Sequence, residues 1–323
     1  MSAIRYRCYG SPDVLELETV EKPVPGDGEL LVRVHAAGVN PYDWHFMRGS
    51  PYIMRLASGI GAPKDHRFGV DFAGTVEAVG PGVRNFAPGD GVFGGSTGAF
   101  GEYVTVSADG AVARKPDNVS HEQAAGVAIA GLTALQSLRD NGQLRAGQKV
   151  LINGASGGVG TFAVQIARAI GADVTGVCST RNVELVRSIG ADHVFDYKKE
   201  SYIESGEQYD LIVDMVGNHS LQANRKVLKP GGRMVLVGSE SSDWLGPFMR
   251  PIGAMILSMF VDEEISMILA RLRQEDFVEL AGMMERGEVT PVIDRRFTLS
   301  EVPDAIRYSE SGRARGKIII DVN

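Results

Sequence analysis

The pattern of apolar and polar positions divides the chain into two parts at about residue 120. Before that point, short apolar runs of the β type are separated by Gly, Pro and Asp, as in Glu29–His35, Phe72–Val79 and Gly101–Val106. Pro88–Phe93 has the pattern of a turn that enters a strand. This texture predicts a mostly antiparallel β domain.

After Ser120, which is a suitable helix N-cap, helical and strand-like patterns alternate. The predicted strands are Val150–Asn153, Asp173–Cys178, His193–Phe195, Asp210–Asp214 and Arg233–Val237. Strands that alternate with helices predict a doubly wound parallel sheet, because parallel neighbours need a crossover connection. The fold class is therefore α/β, with a Rossmann-type sheet following the β domain.

The last fifty residues return to a simpler pattern. An amphipathic helix over Glu275–Arg286 stops at Gly287, and the strands Val292–Phe297 and Lys317–Asp321 flank a helix over Ser300–Ser309. We expect this tail to rejoin the first domain. The predicted boundaries are residues 1–121 with 273–323 for one domain and residues 122–272 for the other.

The glycine cluster after the first strand of the second part carries the strongest chemical signal. Val150–Gly160 reads as strand, tight turn and helix start, with glycines at every third position from Gly154. Bare backbone N–H groups and the positive end of a helix dipole suit a pyrophosphate. The segment predicts a dinucleotide site with these contact residues: Gly154, Ser156, Gly157, Gly158, Val159 and Gly160.

Other interpretations of the same segment stay open. Gly154–Gly158 also satisfies the G-x-S-x-G nucleophile elbow. A hydrolase of that kind needs an acid and a histidine later in the chain, and no histidine follows His219 in the last hundred or so residues. A Walker-type loop is excluded because Gly160-Thr161 lacks the lysine. A glycine-rich turn without a ligand remains the simplest alternative.

The end of the second strand selects the cofactor. An NAD site has an acidic residue about twenty positions past the glycines, where it binds the ribose hydroxyls. Residues 178–182 contain no carboxylate here, but Ser179 and Arg181 suit a 2′-phosphate. NADPH is therefore predicted over NADH, although Arg181 could also be an exposed residue at a helix start.

Composition limits the remaining classes. The 323 residues are 44% hydrophobic and carry a net charge of −7, which argues against nucleic acid as a partner. No run reaches eighteen apolar residues; the closest, Trp244–Phe260, contains Arg250 and two prolines, so no membrane span is predicted. With only Cys8 and Cys178 and no leader pattern, we expect a cytoplasmic protein.

Several spaced motifs together resemble the medium-chain dehydrogenase/reductase superfamily, and its zinc-lacking quinone oxidoreductase or zeta-crystallin branch in particular, which includes plant enone reductases. The resemblance runs essentially end to end and implies a GroES-like catalytic domain beside a Rossmann NADPH-binding domain. The motifs that carry it are Gly38–Asp43, Gly69–Gly74, Pro88–Phe93, Gly101–Val104, Gly131–Ala134, the glycine turn, Gly190–Tyr197 and Gly316–Ile319.

The chain departs from the zinc-bearing relatives at two positions. Those relatives carry a Cys where Asn40 stands and a His where Val70 stands, and catalytic zinc needs three protein ligands. The four-cysteine structural lobe expected after Phe93 is also missing. We therefore predict no metal, with a fortuitous cluster of His45, His66 and Asp71 as the alternative.

The resemblance implies hydride transfer from NADPH to a quinone or an α,β-unsaturated carbonyl compound. Both acceptors give a delocalised anion, so positioning and hydrogen bonds to the carbonyl oxygen could suffice without a Lewis acid. The candidate catalytic residues are Asn40, Tyr42 and His45, as hydrogen-bond or proton donors. Water could instead supply the proton, with Tyr42 packing beside the cofactor and His45 lining the surface.

Further cofactor residues follow from the resemblance. Thr133 is implied near the nicotinamide, and the adenosine 2′-phosphate is expected among Ser179, Arg181 and Tyr197. Residues that follow the later strands are expected to contact ligand, and two basic residues near the C-terminus could reach the phosphates or be solvated charges. These additional residues are Val216, Gly217, Gly238, Ser239, Arg315 and Lys317.

Relatives are commonly homodimers that pair sheet edges, which makes Arg233–Val237 a candidate interface strand. The apolar stretch Trp244–Phe260 is expected to form a flap over the substrate or part of a subunit contact. Two other functions stay open: an alcohol or ketone dehydrogenase of relaxed mechanism, and a crystallin-like or regulatory protein that binds NADPH without catalysis.

Overall fold

The computed structural model describes residues 1–237 and 263–322. The chain divides into two units, one of Met1–Leu132 with Arg271–Asn323 and the other of Thr133–Ala270. The division falls inside a helix, whereas the sequence pattern placed the boundary at residue 121. The expectations for Gly238, Ser239 and Trp244–Phe260 lie outside the described residues.

Fifteen strands are found in the described part of the chain. In chain order they are β1 Ser2–Arg5, β2 Glu16–Thr19, β3 Glu29–Val39, β4 Asp71–Val79, β5 Gly91–Gly95, β6 Tyr103–Ser107, β7 Val112–Arg114, β8 Lys149–Asn153, β9 Asp173–Cys178, β10 His193–Asp196, β11 Tyr209–Asp214, β12 Leu228–Leu236, β13 Glu264–Met267, β14 Ile293–Thr298 and β15 Lys317–Asp321.

Nine α-helices accompany them in the same described residues. They are α1 Pro41–Arg48, α2 Arg55–Ser58, α3 His121–Ala125, α4 Ala128–Gln136, α5 Gly158–Ile170, α6 Val183–Ser188, α7 Leu221–Arg225, α8 Gln274–Glu285 and α9 Val302–Glu310.

The first unit is built on a seven-stranded sheet with the order β14-β15-β3-β4-β5-β7, in which β6 also pairs with β3. All of its pairings are antiparallel except the one between β14 and β15. Because β15 hydrogen-bonds to β3, the C-terminal tail is an integral part of this sheet. Its core is strongly aromatic, with Phe72, Phe93 and Phe100 fully buried. Burial of such side chains stabilises each by about 1.5–3 kcal/mol.

The second unit has a six-stranded parallel sheet with the order β10-β9-β8-β11-β12-β13. The strand order reverses direction between β8 and β11, which is the point where sheets of this type bind ligands. Leu151, Val177, Ile212 and Met234 are buried in its core. The predicted α/β class, with one doubly wound parallel sheet and one mostly antiparallel domain, is confirmed.

The strand predicted at Arg233–Val237 lies in β12, and its expected role as an edge strand is wrong. β12 pairs with β11 on one side and with β13 on the other, so both of its edges are occupied. The sequence pattern missed β13 because Glu264–Met267 is short and half polar. Dimerisation through a free edge of β12 is therefore not retained.

Candidate functional site

The first candidate site lies where β3 ends and α1 begins. Asn40 caps α1, and Pro41 occupies its first position, where a missing N–H costs nothing. The Asp43 side chain reaches back so that its Oδ2 accepts a hydrogen bond from Asn40 N at 2.7 Å. This fixes the first turn of the helix that carries the predicted catalytic residues.

A buried ionic cluster underlies that turn. The Lys317 ammonium, on β15, donates to Asn40 Oδ1 at 2.5 Å and to the Val39 carbonyl at 3.0 Å. It lies 3.6 Å from Asp71 Oδ2 on β4, and Asp71 also accepts from Ile129 N. Burial lowers the pKa of Lys317 and raises that of Asp71, since it disfavours the charged form of each.

Asp43 is the third ionisable member of this cluster. It is almost fully buried, and its Oδ1 has no hydrogen-bond partner among the described residues. The pKa of Asp43 is raised to about 8, chiefly by burial and also by the nearby Asp71 carboxylate, against the lowering effects of the bond from Asn40 N and of the Lys317 ammonium. One ammonium thus faces two carboxyl groups, and a proton on Asp43 balances the charge.

The two other predicted catalytic residues lie on α1. Tyr42 is 43% exposed, and its ring lies 4.2 Å from that of Phe46. Its partial burial, and then the charge of Asp43, raise the pKa of Tyr42. His45 Nδ1 lies 2.9 Å from the Ser50 carbonyl, which can only accept, so Nδ1 carries the proton. Burial lowers the pKa of His45, which keeps the ring neutral near pH 7.

In the second unit, the glycine turn joins β8 to α5. Gly154 has a φ of +94°, which favours glycine, and a Cβ on Gly160 would lie 2.1 Å from the Gly154 carbonyl. Gly157 caps α5, and a Cβ there would meet nothing closer than 3.4 Å. The turn therefore leaves open space beside the first N–H groups of α5, Gly158 and Val159 included, as a phosphate cradle requires.

The segment that follows the neighbouring strand β9 contacts this turn through the side-chain amide of Asn182, which was not among the predicted site residues. Asn182 Nδ2 lies 2.9 Å from Ser156 Oγ in the turn and 3.2 Å from Ser179 Oγ after β9. All three side chains are buried. The signal in the sequence was a polar residue three positions past Ser179, but only the paired register of β8 and β9 reveals the contact.

On the other side of β8, the buried Asp214 carboxylate fixes the segment after β11 through hydrogen bonds. Asp214 Oδ1 accepts from Asn153 Nδ2 and Gly217 N, both at 2.9 Å, and from Val216 N at 3.2 Å. Gly217 has a φ of +77°. The predicted ligand residues Val216 and Gly217 thus sit beside the glycine turn, and a Cβ on Gly154 would lie 3.0 Å from Val216 Cγ2.

The remaining predicted cofactor residues are distributed over both units. Thr133 is buried on α4 at the start of the second unit, and Tyr197 is exposed just past β10. Arg181 is an exposed residue of the turn Thr180–Asn182. Arg315 belongs to the first unit, where it lies near Asp294, and Gly238 and Ser239 fall outside the described residues.

Lys317 was predicted to reach the phosphates, but its side chain lies elsewhere. Its side chain is buried in the first unit and its ammonium faces Val39, Asn40 and Asp71. With its three donors directed at these oxygens, it has none for a phosphate. We therefore assign Lys317 to the cluster beneath α1.

Comparison with known proteins agrees with this architecture. The alcohol dehydrogenase GroES-like domain family matches residues 26–117, and the zinc-binding dehydrogenase family matches residues 189–320. Human quinone oxidoreductase is 33% identical, covering 99% of this chain and 97% of its own. A trans-enoyl reductase of Aspergillus terreus is 34% identical over 92% of this chain and 87% of its own.

Among solved structures, a quinone oxidoreductase from Coxiella burnetii superposes with a TM-score of 0.87 at 28% identity, covering 100% of this chain and 99% of its own. The sheet order and the glycine turn at its switch point are those of a nucleotide-binding domain, and the relatives identify the class as oxidoreductase. The chain belongs to the medium-chain dehydrogenase/reductase superfamily, in its quinone oxidoreductase family.

The residues of the first site do not fit the zinc named in one of these family descriptions. Asn40 Oδ1 is bound by an ammonium, Asp71 is paired with the same ammonium, and Val70 has no donor atom. Within residues 1–237 and 263–322, no group of three or more His, Cys, Asp and Glu side chains could hold a metal ion.

The helices of the described residues include none long and apolar enough to cross a bilayer.

Proposed function

We propose that the chain is a zinc-independent, NADPH-dependent reductase of quinones or α,β-unsaturated carbonyl compounds. In this proposal residues 122–272 bind the cofactor, and residues 1–121 with 273–323 bind the substrate. The relatives named quinone oxidoreductase and trans-enoyl reductase support this proposal.

The observation that carries the choice of NADPH is the corner formed by the buried hydroxyls of Ser156 and Ser179, which Asn182 joins, with Arg181 in the turn that follows Ser179. No carboxylate occurs at residues 178–182, where an acid would repel a 2′-phosphate. Asp196, at the end of β10, lies opposite Cys178 in the sheet and is paired with Lys199 at 3.3 Å. Two hydroxyl donors, together with a cationic residue in the adjoining turn, favour the phosphorylated ribose.

The glycine turn and the N-terminus of α5 would hold the pyrophosphate, and the segment Val216–Gly217 would line the site at the switch point. When bound, NADPH supplies the hydride that reduces the acceptor. The chain's contribution is to bind, to orient and to supply hydrogen-bond donors. The buried bonds to Asp214 pre-organise the 216–217 backbone for that purpose.

Tyr42 is the best candidate for the donor to the substrate oxygen. Its raised pKa keeps the phenol protonated, so the O–H can stabilise negative charge that develops on a carbonyl oxygen. His45 is a weaker proton donor, because the Nδ1 proton is directed at Ser50 and neutral Nε2 only accepts. Asn40 acts through α1, since its amide is buried and bound by Lys317.

The test is a comparison of NADPH and NADH oxidation with a panel of quinones, alkenals and cyclic enones, with and without a strong chelator. We expect turnover of at least one conjugated acceptor, a preference for NADPH and no loss in chelator. A preference for NADH would contradict the assignment of the corner at Ser179, and loss of activity in chelator would contradict zinc independence. A homodimer and a cytoplasmic location are further parts of the proposal.

A further inference from the structure

The Asn182 side chain connects the loop after β8 with the loop after β9, which are about twenty-five residues apart in the sequence. β8 and β9 are adjacent and parallel, with Asn153 opposite Val177, so the segments that follow them emerge side by side. Ser156 lies in the first segment, and Ser179 opens the second. The Asn182 amide nitrogen lies within hydrogen-bond distance of both hydroxyl oxygens, at 2.9 and 3.2 Å.

The number of hydrogen-bond donors and acceptors in this group determines whether each serine hydroxyl can donate to a ligand. A primary amide has two N–H donors, and here one is directed at Ser156 Oγ and the other at Ser179 Oγ. Each serine therefore accepts at this point and keeps its single O–H as a donor. Within the described part of the chain, no acceptor is found for either of these hydroxyl protons.

The amide oxygen gives independent support that this corner is built for a ligand. Asn182 is 5% exposed, and its Oδ1 has no hydrogen-bond partner in the described residues. A buried polar atom without a partner is destabilising and therefore calls for an explanation. Because a 2′-phosphate also only accepts, the group that satisfies this oxygen has to be a donor elsewhere on the ligand, such as a hydroxyl of the same ribose.

Two hydroxyl donors held side by side match an anion with several acceptor oxygens. A phosphate monoester offers three such oxygens and a charge that strengthens each bond. A ribose hydroxyl is a single neutral oxygen and cannot take a charge-assisted bond from both serines. The arrangement therefore distinguishes a 2′-phosphate from a 2′-hydroxyl.

We propose that Asn182 sets the preference for NADPH over NADH by holding Ser156 and Ser179 as donors to the 2′-phosphate. Asn182 is a positioning residue, because it acts through the two hydroxyls. This inference rests on the proposed function, and it names the group that makes the cofactor site selective.

The experiment measures direct binding by titration calorimetry to the wild type and to Asn182→Leu, which keeps the size and removes the amide. The ligands are NADPH, NADH, 2′,5′-ADP and 5′-AMP. We expect NADPH and 2′,5′-ADP to bind Asn182→Leu at least about tenfold more weakly, as for lost charge-assisted bonds, while NADH and 5′-AMP change by less than about twofold. The matched control is Asn85→Leu, which removes an amide that donates to Ala108 O in the first unit.

An equal loss of affinity for both cofactors would overturn the proposal, since a merely structural role moves both alike. Ser156→Ala and Ser179→Ala provide the second route if Asn182→Leu does not fold. Each serine variant should lower the affinity for NADPH selectively. The double variant Ser156→Ala/Asn182→Leu should lose less NADPH binding free energy than the sum of the losses in the two single variants. An unchanged ratio of NADPH to NADH affinity in both serine variants would overturn the proposal as well.

The wild-type measurement separates this proposal from the proposed function. If the wild type binds NADH more tightly than NADPH, the assigned cofactor is wrong. If it prefers NADPH and the preference survives in the three variants, the function stands and the role of Asn182 is wrong.

Discussion

The Lys317 ammonium lies 2.5 Å from Asn40 Oδ1, although the two residues are 277 positions apart in the sequence. The last strand of the chain thereby fixes the residue that caps the helix of Tyr42 and His45. The same ammonium lies 3.6 Å from Asp71. Three segments of the first unit are thus joined at one buried charge, and the geometry of α1 depends on it.

Removing that charge should be strongly destabilising. In Lys317→Met the Asp71 carboxyl stays buried without its cation, and breaking a buried ion pair on one side costs about 3–5 kcal/mol. Urea unfolding at pH 7 measures the change in the free energy of unfolding. Lys22→Met is the matched control, because Lys22 pairs with Glu77 at the surface, where such pairs contribute little. Equal effects of the two substitutions would contradict the assigned role of Lys317.

The cluster also predicts how stability depends on pH. The pKa of Asp43 is raised to about 8 in the folded chain, against about 4 in an unfolded one. A folded state that binds the proton more tightly is favoured at low pH, so this stabilisation is complete below about pH 4. It is lost as the pH rises towards 8, with a slope of at most about 1.4 kcal/mol per pH unit.

Asp43→Asn tests this directly, because asparagine replaces the neutral acid and cannot ionise. The free energy of unfolding of the variant relative to wild type should rise steadily between pH 5 and pH 8. The measurement is a series of urea unfolding curves across that range. Parallel pH profiles for the two proteins would mean that Asp43 is not the group that holds the proton.

Most of the fold was predictable because its signals are local. Alternating strands and helices indicated the doubly wound sheet, and the spaced glycines indicated the turn between β8 and α5. β13 was missed since Glu264–Met267 has too few apolar positions to stand out. The mistaken edge assignment of β12 follows from that omission.

The site was predictable only in part because its contacts join distant segments. Tyr42 and His45 could be named from their motif, but no local pattern shows that Lys317 turns inward to Asn40 instead of outward to a phosphate. In the same way, Asn182 became important only when the register of β8 and β9 brought Ser156 beside Ser179. Such networks depend on tertiary distances, which the sequence pattern does not contain.

The glycine turn predicts opposite behaviour for two neighbouring substitutions. Gly157→Ala meets no atom closer than 3.4 Å and should fold with a stability within about 0.5 kcal/mol of wild type. Its methyl group would occupy the space beside the first N–H groups of α5, so the dissociation constants of NADPH and NADH should both rise. Gly160→Ala would place its methyl 2.1 Å from the Gly154 carbonyl and should destabilise the fold.

Thermal unfolding and cofactor titration, made on the same samples, separate the two effects. Gly61→Ala is the control, because a Cβ at that position meets nothing within 4 Å. A Gly157→Ala variant that binds both cofactors as tightly as wild type would contradict the placement of the pyrophosphate at this turn.

The hydroxyl of Tyr42 should matter for the chemical step and not for the fold. Tyr42→Phe keeps the ring and its contact with Phe46 while removing the one O–H that the raised pKa keeps protonated. Loss of a donor to a developing oxyanion lowers kcat by about 10²–10³-fold in other enzymes. We expect a fall of at least about tenfold in kcat with the KM for NADPH unchanged, measured by steady-state kinetics with the best acceptor of the panel. Tyr103→Phe, on β6, is the matched control. If both variants keep wild-type kcat, the proton and the hydrogen bond come from water, and Tyr42 serves only to pack beside its neighbours.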